Sequence, residues 1–406
     1  MYYLADMQAL VIMLLLAQAP GLERYVAAQN AYAANPRSEA RLVALVTILF
    51  ESDRNDLGIA LLEPFVKSNP SASRAKLFLA LGYARQEKYA QSKSLAATVA
   101  AGLPTDYYAQ HILGLSLFGL NEFTPAEAAF KRAVSLKPDF ADSFFQLGLL
   151  YSRNPSTLQQ AQAAYARALT IGFSNAEIYR NLGSLNIKLG EYDNAVTYLN
   201  KALELNPNYA DAYFQLGEAL RRSGKAEQAA EAIRKFQALN ASALDAKERQ
   251  NKGQALYEQG SRLIQNDELA KAYEVFRAAS ETFPQLDAAY YRMAQLEYLQ
   301  DDRKRALANI QRAVELNPFE PEYYFVLARC LEHTDVRGSI EAVTQAISLR
   351  NNVADFHNFL GGQYEKSGDS ARAVQSYGRA VTLEPKNQTF RTNLNAAQRR
   401  LPLKKP

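Results

Sequence analysis

Catalysis by side chains needs nucleophiles, general bases or metal ligands at workable spacings, and this chain is poor in all three. Its 406 residues hold three histidines, His111, His333 and His357, and one cysteine, Cys330. The histidines stand far apart and no C-x-x-C occurs, so no set of ligands with the spacing of a zinc site can be assembled. There is no G-x-x-x-x-G-K-S/T, G-x-G-x-x-G, H-E-x-x-H or G-x-S-x-G; these patterns cradle phosphates, bind zinc or expose a serine nucleophile. The nearest fragment, Gly114-Leu115-Ser116-Leu117, lacks the second glycine. Cys330 lies beside Leu327 and Leu331 at helical spacing and reads as a small buried hydrophobe. The chemistry to expect is therefore binding: no enzyme, no cofactor and no metal.

The elements that must carry any binding residues are helical. Hydrophobic residues make up 48% and charged residues 22% of the chain, an ordinary globular balance that rules out wholesale disorder. Glycine and proline are scarce, at 19 and 15 residues. The net charge of +4 is too small to imply nucleic-acid binding by bulk electrostatics. Pro36, Pro70, Pro104 and Pro138 then fall 34 residues apart, and aligned prolines return at Pro207, Pro284, Pro318 and Pro385. A fixed period of this length signals a stacked array of one small unit.

The clearest unit is residues 176–207, AEIYRNLGSLNIKLGEYDNAVTYLNKALELNP. Tyr179, Leu182, Gly183 and Asn186, then Ala195, Leu199 and Ala202, recur at helical spacing. Gly190 interrupts the run and Asn206-Pro207 closes it, so each period predicts two antiparallel helices. The pair Leu-Gly recurs at Leu113-Gly114, Leu147-Gly148, Leu182-Gly183, Leu216-Gly217 and Leu360-Gly361. Closing alanines recur at Ala133, Ala168, Ala202, Ala279, Ala313, Ala346 and Ala380. Together these resemble the tetratricopeptide repeat (TPR). The resemblance implies an all-α fold, a right-handed TPR superhelix (α-solenoid). It would hold about ten helix-turn-helix repeats, starting near residues 39, 73, 107, 141, 176, 210, 253, 287, 321 and 354.

In that family the first helices line a concave groove. Aligned on it, the fifth position of successive repeats reads His111, Phe145, Arg180, Phe214, Tyr257, Tyr291 and Phe325. The sixth gives three amides, Gln146, Asn181 and Gln215, and the twelfth and thirteenth give Arg153, Lys188, Arg221 and Arg222. Aromatic platforms, amides and cations suit an extended peptide, with the cations favouring acidic segments. The same aromatics could instead pack between neighbouring helices as core. The carboxylate clamp of some family members is not expected, because a comparison starting at Arg180 meets Ser184, Gln215, Gln254 and Glu258.

Two regions break the pattern. Residues 241–252, ASALDAKERQNK, add about nine residues and are read as a linker or helix extension between an array at 21–240 and another at 253–387. Residues 388–406 supply a capping helix and tail. At the N-terminus, residues 1–20 carry an apolar run ending in Ala17-Gln18-Ala19. They read either as a targeting or tethering segment, which would export the chain to a bacterial periplasm or envelope, or as a first repeat helix of a cytoplasmic protein.

The expected function is a non-catalytic scaffold that binds a protein or peptide partner, of acidic character, in the concave groove. The alternative is an auxiliary or regulatory subunit docking through its convex face or an end. No nucleic acid is expected, and contact with a membrane only through the N-terminal segment.

Overall fold

The computed structural model describes residues 22–400. Regular structure among them is helical throughout, in two compact units, residues 35–245 and residues 246–400 joined by 22–34. In the first unit the helix pairs are α2 (Glu39–Glu51) with α3 (Asn55–Ser68), α4 (Ser73–Arg85) with α5 (Tyr89–Gly102), and α6 (Tyr107–Gly119) with α7 (Phe123–Leu136). They continue with α8 (Ala141–Tyr151) and α9 (Leu158–Thr170), α10 (Ala176–Leu189) and α11 (Tyr192–Leu205), and α12 (Ala210–Arg222) with the start of α13 (Ala226–Gln265). The second unit pairs the end of α13 with α14 (Leu269–Thr282), α15 (Asp287–Leu299) with α16 (Arg303–Leu316), and α17 (Pro321–Leu331) with α18 (Val336–Leu349). Then α19 (Ala354–Lys366) pairs with α20 (Ser370–Leu383), and α21 (Gln388–Arg400) follows.

Local rules cut the chain into these pairs. Eight of the pairs turn from first to second helix through a single left-handed residue, at Asp53, Glu87, Asn121, Gly190, Gly224, Asp267, Asp301 and Gly368, with φ from 56° to 82°. One such residue reverses the chain and ends the first helix. Pro155 occupies that place after α8, and proline cannot take positive φ. There α8 stops at Tyr151, Asn154 Oδ1 accepts from the Ser156 N–H at 3.0 Å, and a 3-10 turn over Pro155–Thr157 leads into α9. Second helices end just before proline: Asn69, Leu103, Lys137 and Asn206 are extended at φ −129° to −140°, as the residue preceding proline must be.

Packing within most pairs depends on a small residue in the eighth position, Val46 of the first pair being an exception. A Cβ added to Gly183 would lie 2.4 Å from Leu199 Cγ, and one added to Gly148 would lie 2.4 Å from Tyr165. Gly114 and Gly361 meet Phe130 and Tyr377 in the same way, at 2.6 and 2.7 Å. Gly260 meets Phe276 at 2.7 Å, although Gln259 replaces the leucine that marks the other glycines. The closing alanines Ala133, Ala168, Ala202, Ala279, Ala313, Ala346 and Ala380 are all fully buried.

Three features bear on the expected division. Residues 21–34 were expected to open the first array, but α1 (Leu22–Ala34) packs in the second unit. Leu22 is buried in the cluster containing Leu327 and Val343, Tyr25 meets Phe319 edge-on at 5.4 Å, and the Gln29 amide donates to the Leu349 carbonyl. Such a contact over more than 300 residues leaves no local mark in the sequence. Residues 241–252 lie inside α13 and are exposed on every side. Helix α21 buries Phe390 and Ala397 against the last pair and leaves its other faces to solvent. The apolar segment 1–20 lies outside the described residues, as does the tail beyond residue 400; no described helix is long and apolar enough to cross a membrane.

Candidate functional site

The row of fifth-position residues divides by burial. His111 is 6% exposed and Phe145 4% exposed. Phe145 is therefore core and not a groove platform, which corrects the expectation for it. Its ring stacks on Phe173 at 4.9 Å and tilts against Tyr165 at 5.9 Å. The cause is the connection after α9: it has no proline, turns through Gly172 at φ 102°, and brings Phe173 over the ring. Phe214 has no such lid and is 49% exposed, with Phe236 5.1 Å away.

Tyr257, Tyr291 and Phe325, in the second unit, are half-buried. Tyr291 meets Tyr323 at 4.8 Å and Phe325 meets Phe356 at 4.8 Å, so these rings take part in helix packing. Tyr257 tilts against Phe276 at 5.5 Å. Burial raises the Tyr291 phenol above its ordinary value, which keeps it a neutral hydrogen-bonding group that accepts from Gln295 Nε2 at 2.8 Å.

The amides are better placed for recognition than the rings. Asn181 is buried with its Nδ2 unpartnered, and the half-buried Gln215 has a buried Oε1 without a donor. Buried polar groups left unpaired are costly, and here a free donor and a free acceptor occupy the same position of successive repeats. Gln146 is half-buried one repeat earlier. Arg180 is tied down by its Nε–H, which donates to Tyr209 Oη at 3.2 Å.

Of the cations, Arg153 lies 4.4 Å from the Phe123 ring centroid and Lys188 Nζ donates to the Ser152 carbonyl at 2.8 Å. Arg221 and Arg222 are exposed at the end of α12. Phe214, Glu218, Arg221, Ala230, Ile233 and Arg234 line an open groove of about 720 Å³ within the first unit. The structure thus brings Phe214 and Arg221 together in one surface. It spreads Tyr257, Tyr291 and Phe325 over a different unit.

Sequence reasoning passed over Arg292 and Arg329. Arg292 stands in the sixth position of its repeat, the position that supplies Gln146, Asn181 and Gln215, and this was its available signal. Among the described residues no group of three or more His, Cys, Asp or Glu side chains could hold a metal ion. His111 Nδ1 lies 2.9 Å from Ser143 Oγ, and burial lowers its pKa to about 3. It is a neutral core residue. Burial likewise pushes the Cys330 thiol up to about 12, so it is inert as a nucleophile at neutral pH.

Models described as tetratricopeptide repeat match residues 43–107, 113–177 and 291–335, and further ones match 210–242 and 354–387. A model described as TPR repeat matches residues 186–224. Human protein O-mannosyl-transferase TMTC3 is 29% identical over 171 residues, covering 40% of this chain and 19% of that protein. A TPR repeat-containing protein of Methanocaldococcus jannaschii is 20% identical over 280 residues, covering 66% of this chain and 49% of the relative. The chain thus spans half or less of the length of these curated relatives. A thermophilic TPR protein of Thermus thermophilus, in its crystal structure, is 24% identical and covers 45% of this chain and 100% of its own, with a TM-score of 0.40.

Proposed function

The chain belongs to the tetratricopeptide repeat family, and on that footing we propose that it is a non-catalytic protein-interaction scaffold whose middle repeats, α8 to α12, hold an extended segment of a partner protein. The observation that carries this reading is the pair of unpartnered amide atoms, Asn181 Nδ2 and Gln215 Oε1. A peptide backbone offers one acceptor and one donor per residue, and it would satisfy both atoms once the two amide side chains turn outward to meet it. The half-exposed Phe214 supplies apolar cover beside them, and Arg221 and Arg222 favour acidic side chains along the segment.

Described residues are taken up by helix pairs, their turns, α1 and a capping helix, so among them a catalytic site would have to be built on these helices. Transfer activity of the kind named for TMTC3 is not carried over, because the aligned stretch is 19% of that protein.

The test is affinity capture from native host extract with the wild type and a Phe214→Ala, Arg221→Gln, Arg222→Gln variant, read by mass spectrometry. All three residues are exposed, so the variant should fold. A partner captured by the wild type and missing from the variant supports the reading. Identical partner sets would move the binding site off this surface.

A further inference from the structure

The second unit holds a cavity that the middle-repeat reading leaves unused. It has a volume of about 230 Å³ and lies between three successive repeats. Its walls include Ile264, Leu269, Leu296 and Val326, and Leu299 at its rim is 70% exposed. This is a hole for one side chain rather than for a drug-sized ligand, whose sites start at about 300 Å³.

Two arginines, Arg292 and Arg329, stand at this cavity. Neither has a carboxylate partner among the described residues. Arg292 donates to Gln295 Oε1 at 2.9 Å and keeps a buried Nε–H with no acceptor. Arg329 lies over the Tyr298 ring at 4.4 Å, and Arg303 lies over the same ring at 4.9 Å.

The nearby acids are already committed. Asp301 pairs with Arg303 at 3.0 Å. Glu332 accepts from Tyr298 Oη at 3.0 Å and serves Arg303, His333 and Lys366 at 3.3, 3.2 and 3.7 Å. Glu297 is buried and accepts from Tyr273 Oη and Asn309 Nδ2 at 2.8 Å each. One apolar hole is therefore set in a rim with excess positive charge, where guanidinium groups wait for planar acceptors.

We propose that this cavity is a docking hole for a partner peptide that inserts one large apolar side chain and presents Asp or Glu to Arg292 and Arg329. The inference rests on the scaffold reading only in supposing a protein partner. It assigns that partner a different unit and residue set from the middle repeats.

The test is selection of a random peptide library displayed on phage against the full chain, followed by titration of the enriched peptide. Three further proteins are titrated beside the wild type: Arg292→Gln with Arg329→Gln, the exposed Leu299→Ser, and Phe214→Ala with Arg221→Gln. Circular dichroism melts check that each is folded. The expected consensus is a Leu, Ile, Met or Phe with an acid within two positions. Its affinity should fall roughly tenfold for each arginine removed, as for a hydrogen bond to a charged group, fall on Leu299→Ser, and weaken with salt. It should be unchanged by Phe214→Ala with Arg221→Gln. The proposal is overturned by a consensus without acids, by no enrichment at all, or by binding that survives loss of both arginines. Loss confined to the Phe214 and Arg221 variant would also overturn it, while supporting the middle-repeat reading.

Discussion

Acidification should loosen the first unit at His111 in a way that one substitution cancels. The side chain is enclosed by Phe130 and Phe140, with ring centroids at 5.9 and 5.0 Å, and touches Ser143 Oγ. Burial takes its pKa from 6.5 to about 3. A base whose folded pKa is depressed binds fewer protons folded than unfolded, so protons favour the unfolded chain. Its contribution to stability is whole above pH 6.5 and drains away as the pH falls from 6.5 toward 3. Between pH 7 and pH 5, linkage with these values gives a loss of about 2 kcal/mol. The comparison is His111→Phe, since Phe or Tyr holds this position in Phe145, Phe214, Tyr257, Tyr291 and Phe325. Repeats of a solenoid need not unfold together, so the reading should be hydrogen exchange localised to Tyr107–Gly119 at both pH values. The wild type should lose about 2 kcal/mol more protection than the variant between them. Parallel losses in the two proteins would falsify the claim that His111 is held neutral.

Other outcomes follow from the packing. Gly183→Ala puts a methyl 2.4 Å from Leu199 Cγ and should cost about 1–3 kcal/mol in urea denaturation; a neutral result would mean that α10 and α11 can separate freely. Glu87→Gly relieves a non-glycine residue held at φ 59° and should stabilise by about 1 kcal/mol, whereas Gly190→Ala at φ 78° should cost a similar amount; melts of both variants check the sign. Limited proteolysis should cut first within residues 241–252, where helix α13 is exposed on every side and lacks the buried apolar face that steadies the other helices. Earlier cleavage in any inter-helix turn would contradict that assignment.

How much could be read in advance depended on the range of the interactions. Repeat starts at 39, 73, 107, 141, 176, 210, 287, 321 and 354 coincide with helix starts or fall on them to the residue, because proline and left-handed turns act over two or three positions. The start near 253 falls inside α13: with nine extra helix-forming residues and no turn former, nothing stops the preceding helix. Gly260 was missed because it was sought through its leucine neighbour, although the packing against Phe276 depends only on the glycine. The seat of α1, and that Phe145 would be the buried Phe ring of its row, were illegible for another reason. Each depends on a residue elsewhere in the chain, Leu349 or Phe173, whose position no periodicity reports.

The contrast between Phe145 and Phe214 also says where an array of near-identical units can bind. Equivalent positions receive similar side chains, but their exposure is set by the connection that follows. The loop through Gly172 and Phe173 covers Phe145, while Phe214 is followed by the lengthened α13 and stays half exposed. A regular repeat buries its face on its neighbour, which leaves little for a partner. On the readings proposed above, binding would concentrate where the repeat is broken or its polar atoms go unpaired: at Asn181 and Gln215, at the groove beside Phe214, and at the arginine-rimmed hole near Leu299. Regularising these positions toward the repeat pattern should raise stability while removing the features proposed to recognise a partner, which is the trade-off expected when function is stored in departures from the fold's own rules.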